Sequence, residues 1–194
     1  MVERRLALLV GNVLGSILGI AILLGVAYGI NQLAGNPACA SLSLLCPPIP
    51  GAAELAPHVP DYLNIAGLKP APDGTAVLRS GKLVAVDVDG SRLDDQLQRA
   101  LPADLRAERP EEVGTIVWVK WWEENVGYYE DYLKRGEAYQ GHCTVTVIDK
   151  ASALILDTRI FDAAPPPATT TNLTEHTKVD VDEVVAYLKM LPAR

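Results

Sequence analysis

Thr115–Asp149 reads TIVWVKWWEENVGYYEDYLKRGEAYQGHCTVTVID, and the reading of its middle decides the fold. Both ends are strands. Thr115–Trp122 is β-branched and aromatic, the residue types that fit a pleated, half-buried surface, and His142–Asp149 continues the same theme. Between them, Glu123–Gly141 is polar, aromatic and rich in turn residues, which predicts a long hairpin connection. Downstream, the tight turn KASA leads into LILDTRIF, Leu154–Phe161, giving the clearest antiparallel hairpin of the chain. Upstream, KLVAVDVD, Lys82–Asp89, is another β-branched strand. Ser91–Leu101 then has Leu93, Leu97 and Leu101 at helical spacing, with Ser91 as N-cap and Asp94 three residues on. At the C-terminal end, Val181, Val184, Val185 and Leu188 mark one face of a helix capped by Asp180 and stopped by Pro192. The fold class expected over residues 80–194 is therefore α+β: three to four antiparallel strands with the C-terminal helix packed on them.

The N-terminal part differs in character. Leu6–Ile30 carries no charge over 25 residues, roughly 37 Å as a helix against a hydrocarbon core of roughly 30 Å. It exceeds a secretory h-region of about 7–15 residues, so an uncleaved transmembrane helix is expected at 6–30. Arg4 and Arg5 precede it and the next Lys or Arg is Lys69. The tip, residues 1–5, is therefore expected in the cytoplasm of a bacterial cell, and the C-terminal domain outside it, periplasmic or extracellular. Residues 31–79 hold CPPIPG, APHVP and LKPAPDG and read as a Pro-rich stalk or cover, with a helical turn from Asp61 as N-cap. Within the apolar run, Gly11, Gly15 and Gly19 recur at every fourth position, followed by Ala21, Gly25 and Gly29, with Asn12 beside the first line. Such small-residue lines let membrane helices approach closely, so the expected partners are other transmembrane subunits or a second copy.

Several blocks, GKLVAVDVD, LPADLRAERPEEVGTIVWV, AYQGHCTVTVIDKAS, FDAAPPP and VVAYLKMLP, together resemble an uncharacterised bacterial family. The resemblance covers roughly Gly81–Pro192. It implies one N-terminal transmembrane helix and an extracytoplasmic α+β domain, with no assigned activity. Family members often carry a cysteine after the strand tryptophan that pairs with the one matching Cys143. Here WVKWWEENVG has none, so the resemblance implies no such pair.

Little in the sequence points to catalysis. Cys39 and Cys46 lie close enough for a disulfide in an oxidising compartment, or stand as two unpaired thiols, and no second pair completes a metal site. Asp87, Asp89, Asp94 and Asp95 surround Gly90 but miss the spacing of a calcium loop; a strand end turning into a capped helix accounts for them. His142 and Cys143 are adjacent in a strand and point to opposite faces, which excludes a thiol–imidazole pair. Trp118 and Trp122 share one strand face and Trp121 takes the other. With Tyr128 and Tyr129 they form either a partner surface or a core covered on both sides. The net charge of −7 disfavours nucleic acid. No cofactor, metal or catalytic residue is expected. The expected function is that of a non-catalytic, single-pass accessory or interaction subunit presenting an acidic outer domain. A membrane-tethered ligand-binding or enzymatic domain is the alternative.

Overall fold

The computed structural model describes residues 48–131, 134–169 and 174–194. Ile49–Arg194 forms one compact unit. It opens with two short helices, α1 (Ala52–Leu55) and α2 (Val59–Leu63), joined by a turn of 3-10 helix at Ala56–His58. Strands β1 (Lys69–Pro70), β2 (Lys82–Asp87) and β3 (Arg92–Leu93) follow, then helix α3 (Asp95–Ala100). The long strands β4 (Val113–Asp131), β5 (Lys134–Asp149) and β6 (Leu154–Asp162) come next. A short β7 (Thr174–His176) and the helix α4 (Val181–Met190) complete the chain.

The strands make one seven-stranded mixed sheet in the order β1-β6-β5-β4-β2-β3, with β7 beside β5. Three pairings are parallel: β2 with β4, β1 with β6 and β5 with β7. This corrects the expectation of three to four antiparallel strands. The largest difference lies in Glu123–Gly141, where a connection was expected. There β4 and β5 stay paired from Thr115↔Asp149 out to Asp131↔Lys134. The turn-type glycines do not end the strands. Gly127 follows a bulge at Val126, and Gly141 leaves room for the chain after β7: a Cβ there would lie 2.5 Å from the Thr177 carbonyl oxygen. Both are uses of glycine inside a ribbon that composition alone does not separate from a turn.

The sheet is covered on both faces over its base. On one, Leu83, Val117, Val145 and Val147 pack under Leu97 and Leu101 of the α3 region and under Val184, Val185 and Leu188 of α4. On the other, Val84, Val86, Ile116 and Ile148 pack under Leu55, Val59 and Tyr62. That is why β2 buries four consecutive residues, Leu83–Val86, where an open antiparallel strand would alternate. Pro-rich Ala52–Leu63 is thus part of this core. Its prolines stand in the first turns of short helices, where no backbone donor is lost. His58 precedes α2, and Asp61 lies inside it and caps nothing.

Helix α3 begins later than expected. Asp94 is its cap, accepting from the Leu97 amide at 2.7 Å, while Ser91 sits at φ 49° in the turn before β3. Helix α4 is capped by Asp180, which accepts from the Asp182 amide at 2.9 Å. At 10 residues it is the longest described helix, about 15 Å long. Among the described residues no helix is long and apolar enough to cross a membrane, so the expected transmembrane helix finds no support there. The stretch 6–30 expected to span, and with it Gly11, Asn12, Gly15, Gly19, Gly25 and Gly29, lies outside the described residues, as do Cys39 and Cys46.

Candidate functional site

β2 leaves β4 early. Its register ends at Asp87↔Val119, followed by one further bond in which the Val88 amide donates to the Val119 carbonyl at 3.0 Å. Beyond Val119, β4 has β5 on one side and no described strand on the other. The aromatic residues singled out in the sequence all lie on β4, and the structure sorts them.

Trp118 and Trp122 share a face and Trp121 takes the opposite one, as strand alternation requires. The Trp118 indole donates to the Tyr62 carbonyl at 2.8 Å beneath α2, and the Trp121 indole donates to Asp94 Oδ2 at 2.6 Å. Both are held in packing. Trp122 is 37% exposed and stacks on His142, with ring centroids 4.0 Å apart, while its indole donates to Thr144 Oγ1 at 3.3 Å. Tyr129 donates to the Pro167 carbonyl at 2.6 Å, whereas Tyr128 is exposed. Two residues the sequence reading missed join this surface. Val126 is exposed at the bulge, and Ile160, 55% exposed, shares the Trp122 face across Thr144. Ile160 was legible in principle, since it alternates with the buried Phe161.

Acidic groups surround the strip. His142 Nδ1 lies 2.7 Å from Asp162 Oδ1, and its Nε2 lies 3.9 Å from Glu124 Oε2 with no hydrogen-bond partner among the described residues. On the other face, His176 stacks on Tyr139 at 4.8 Å and its Nδ1 is 3.0 Å from Glu123 Oε2. Lys120 Nζ lies 3.5 Å from Asp89 Oδ1. Cys143 points away from His142 into the core, where burial, and then the charge of Asp94, push its thiol up to about 12. A buried, protonated thiol is a weak nucleophile.

The acids of the DVDG turn each have a structural partner. Asp87 accepts from the Gly90 amide at 2.9 Å and pairs with Arg92 at 3.3 Å. Asp94 is buried; burial raises its pKa against the opposing bonds from Leu97 and Trp121. Among the described residues no group of three or more His, Cys, Asp or Glu is placed to hold a metal ion.

The arrangement combines an aromatic and aliphatic strip, acids around it, and a strand whose outer backbone groups meet no partner strand among the described residues. Comparison with family models, curated proteins and solved structures finds no match.

Proposed function

We propose that the unit is a non-catalytic interaction domain that engages a protein partner along β4. One observation carries this reading. β4 runs on past the end of β2 and places Trp122, Val126 and Tyr128 in solvent, with Ile160 on the Trp122 face. Exposed aromatic residues clustered at a strand edge are characteristic of contact surfaces, and large exposed apolar residues on an unpaired edge are otherwise selected against. The flanking Glu123, Glu124 and Asp162 favour a partner that offers positive charge around an apolar centre.

The test is capture of partners by the full chain against its W122A/Y128A variant, with a thermal melt to show that the variant is folded. The expected result is loss of a stoichiometric partner from the variant. Retention of every specific partner by the folded variant would overturn the reading.

A ligand-binding reading has one observation of its own, the His142–Asp162 pair with its Nε2 directed at Glu124 rather than at a hydrogen-bond acceptor in range. Its signature would be a ligand whose binding is abolished by His142→Gln while partner capture persists.

A further inference from the structure

We infer that the edge of β4 beyond Val119 takes an extended segment of a partner protein, bearing lysine or arginine, as an added strand alongside Trp121–Asn125. The inference rests on the interaction reading above and specifies the partner's chemistry and its mode of binding.

The Val119 carbonyl faces β2, because it accepts from the Val88 amide. Along a strand, backbone groups alternate between its two edges, so those of Trp121, Glu123 and Asn125 face the same way. Lys120, Trp122 and Glu124 turn theirs toward β5, in register with Thr144, His142 and Gln140. β2 ends opposite Val119, and no described strand meets the outward groups beyond it. Trp122–Val126 are all exposed, so no described element closes over this stretch. An added strand supplies the missing backbone partners, and the two faces of the sheet then read its alternating side chains.

Both ends of the footprint are set. At one, Val88 already holds the Val119 carbonyl and Asp89 pairs with Lys120, so the segment stops short of Lys120. At the other, the bulge at Val126 interrupts the ladder.

Side chains select the occupant. Trp122 and Glu124 lie on one face and Glu123 on the other. Glu123 approaches the His176 ring and Glu124 the His142 ring, and among the described residues neither is paired with a lysine or arginine. A segment with an apolar residue beside Trp122 and basic residues beside Glu123 and Glu124 satisfies all three positions. Acidic residues there would set like charges directly across the strand pair. A second copy of β4 would bring the same acidic pair, in a chain whose net charge is −7, so the occupant is a different chain with basic character.

The experiment is site-resolved amide hydrogen exchange on the full chain with the capped hexapeptide Thr-Val-Lys-Lys-Val-Thr. This peptide reads alike in both directions, so it offers the apolar–basic–basic order in either strand orientation. Its acidic counterpart, Thr-Val-Glu-Glu-Val-Thr, is the control. Both are raised to about 5 mM, where millimolar affinities register. The basic peptide is expected to slow the Glu123 and Asn125 amides about twofold when half the chain is bound, and further toward saturation, while the acidic one leaves them unchanged. Two variants, each shown to be folded by thermal melt, separate backbone pairing from charge. Glu123→Pro removes an outward amide and no bond to β5, a position in which an edge strand tolerates proline. Read at the Asn125 amide, it weakens binding at least about tenfold, through the lost bond and the ring in its place. Glu123→Gln keeps the amide and weakens binding by less than about fivefold, as loss of an exposed ion pair does.

Unchanged Glu123 and Asn125 exchange at the highest concentration of the basic peptide overturns the added strand. So does equal protection by the acidic peptide, or a Glu123→Pro variant that binds as well as Glu123→Gln. Protection that grows with the concentration of the chain alone would seat a second copy on the edge and overturn the basic partner. All of these outcomes leave the interaction reading intact, since that reading falls only if the W122A/Y128A variant keeps every partner.

Discussion

Single side chains here carry unlike titration behaviour, and each has a pH signature. Glu112 accepts from the Glu108 amide at 3.0 Å, from Arg109 at 3.0 Å and from Lys82 at 3.3 Å. The amide bond foremost, then the arginine, hold its carboxyl down to about 2 from an ordinary 4.5. A depressed carboxylate stabilises the fold fully above its unfolded value and loses that contribution as pH falls through its folded one. Glu112→Gln should therefore flatten the acid limb of stability between pH 4.5 and about 2, measured by urea melts across that range. An unchanged acid limb would show the network to be inert. Asp94 works in the opposite sense: its raised folded value favours the fold at low pH, and that contribution is lost as pH rises through it. Cys143 gives a third signature. With its thiol near 12, about one part in 10⁴ is thiolate at pH 8. Iodoacetamide should leave the Cys143 peptide unmodified in the native chain and alkylate it in urea, as read by peptide mass mapping. Native labelling at the denatured rate would contradict its placement in the core.

Among the elements, the α3 cap and the long ribbon show how far local pattern reaches. Ser91 and Asp94 are both acceptable N-cap residues by type. The choice falls on Asp94 because β3 intervenes, and because Asp94 also receives the Trp121 indole from across the sheet. Asp94→Ala should cost about 3 kcal/mol, combining the lost cap with an indole donor left unpaired in a covered site. Chemical denaturation would measure it, and a loss under about 1 kcal/mol would mean that solvent replaces both bonds. The strand ends at Thr115–Trp122 and His142–Asp149 were legible in β-branched content. Their continuation through Glu123–Gly141 was not. There, exposed polar residues and glycines meet the needs of a two-stranded ribbon as readily as those of a loop. The aromatic residues along it were the overlooked signal, since tyrosines at 128, 129 and 139 favour strand over turn.

The whole unit is organised by coverage of both sheet faces. Leu55 lies on one side and Leu188 on the other, and neither is exposed to solvent. Leu55→Ala and Leu188→Ala should each cost about 2–5 kcal/mol and lower one shared unfolding transition, followed by calorimetry. If Leu55→Ala left that transition in place and added a separate early one, the segment around it would be an appendage and not a layer of the fold.

The sequence by itself determined the strands with strong β-branched character, the amphipathic C-terminal helix and its Asp180 cap, because those depend on neighbours within one turn or one strand. It also separated His142 from Cys143, since alternation is a local property of the chain. Only the tertiary structure decided that Val84 and Val86 needed a second helical layer, that β2 pairs in parallel with β4, and that Trp121 is spent on Asp94 while Trp122 is left in solvent. Those outcomes depend on which segments meet across the sheet. A residue's own type and spacing carry no record of its partner, so the exposed edge of β4 becomes visible only once β2 is seen to stop.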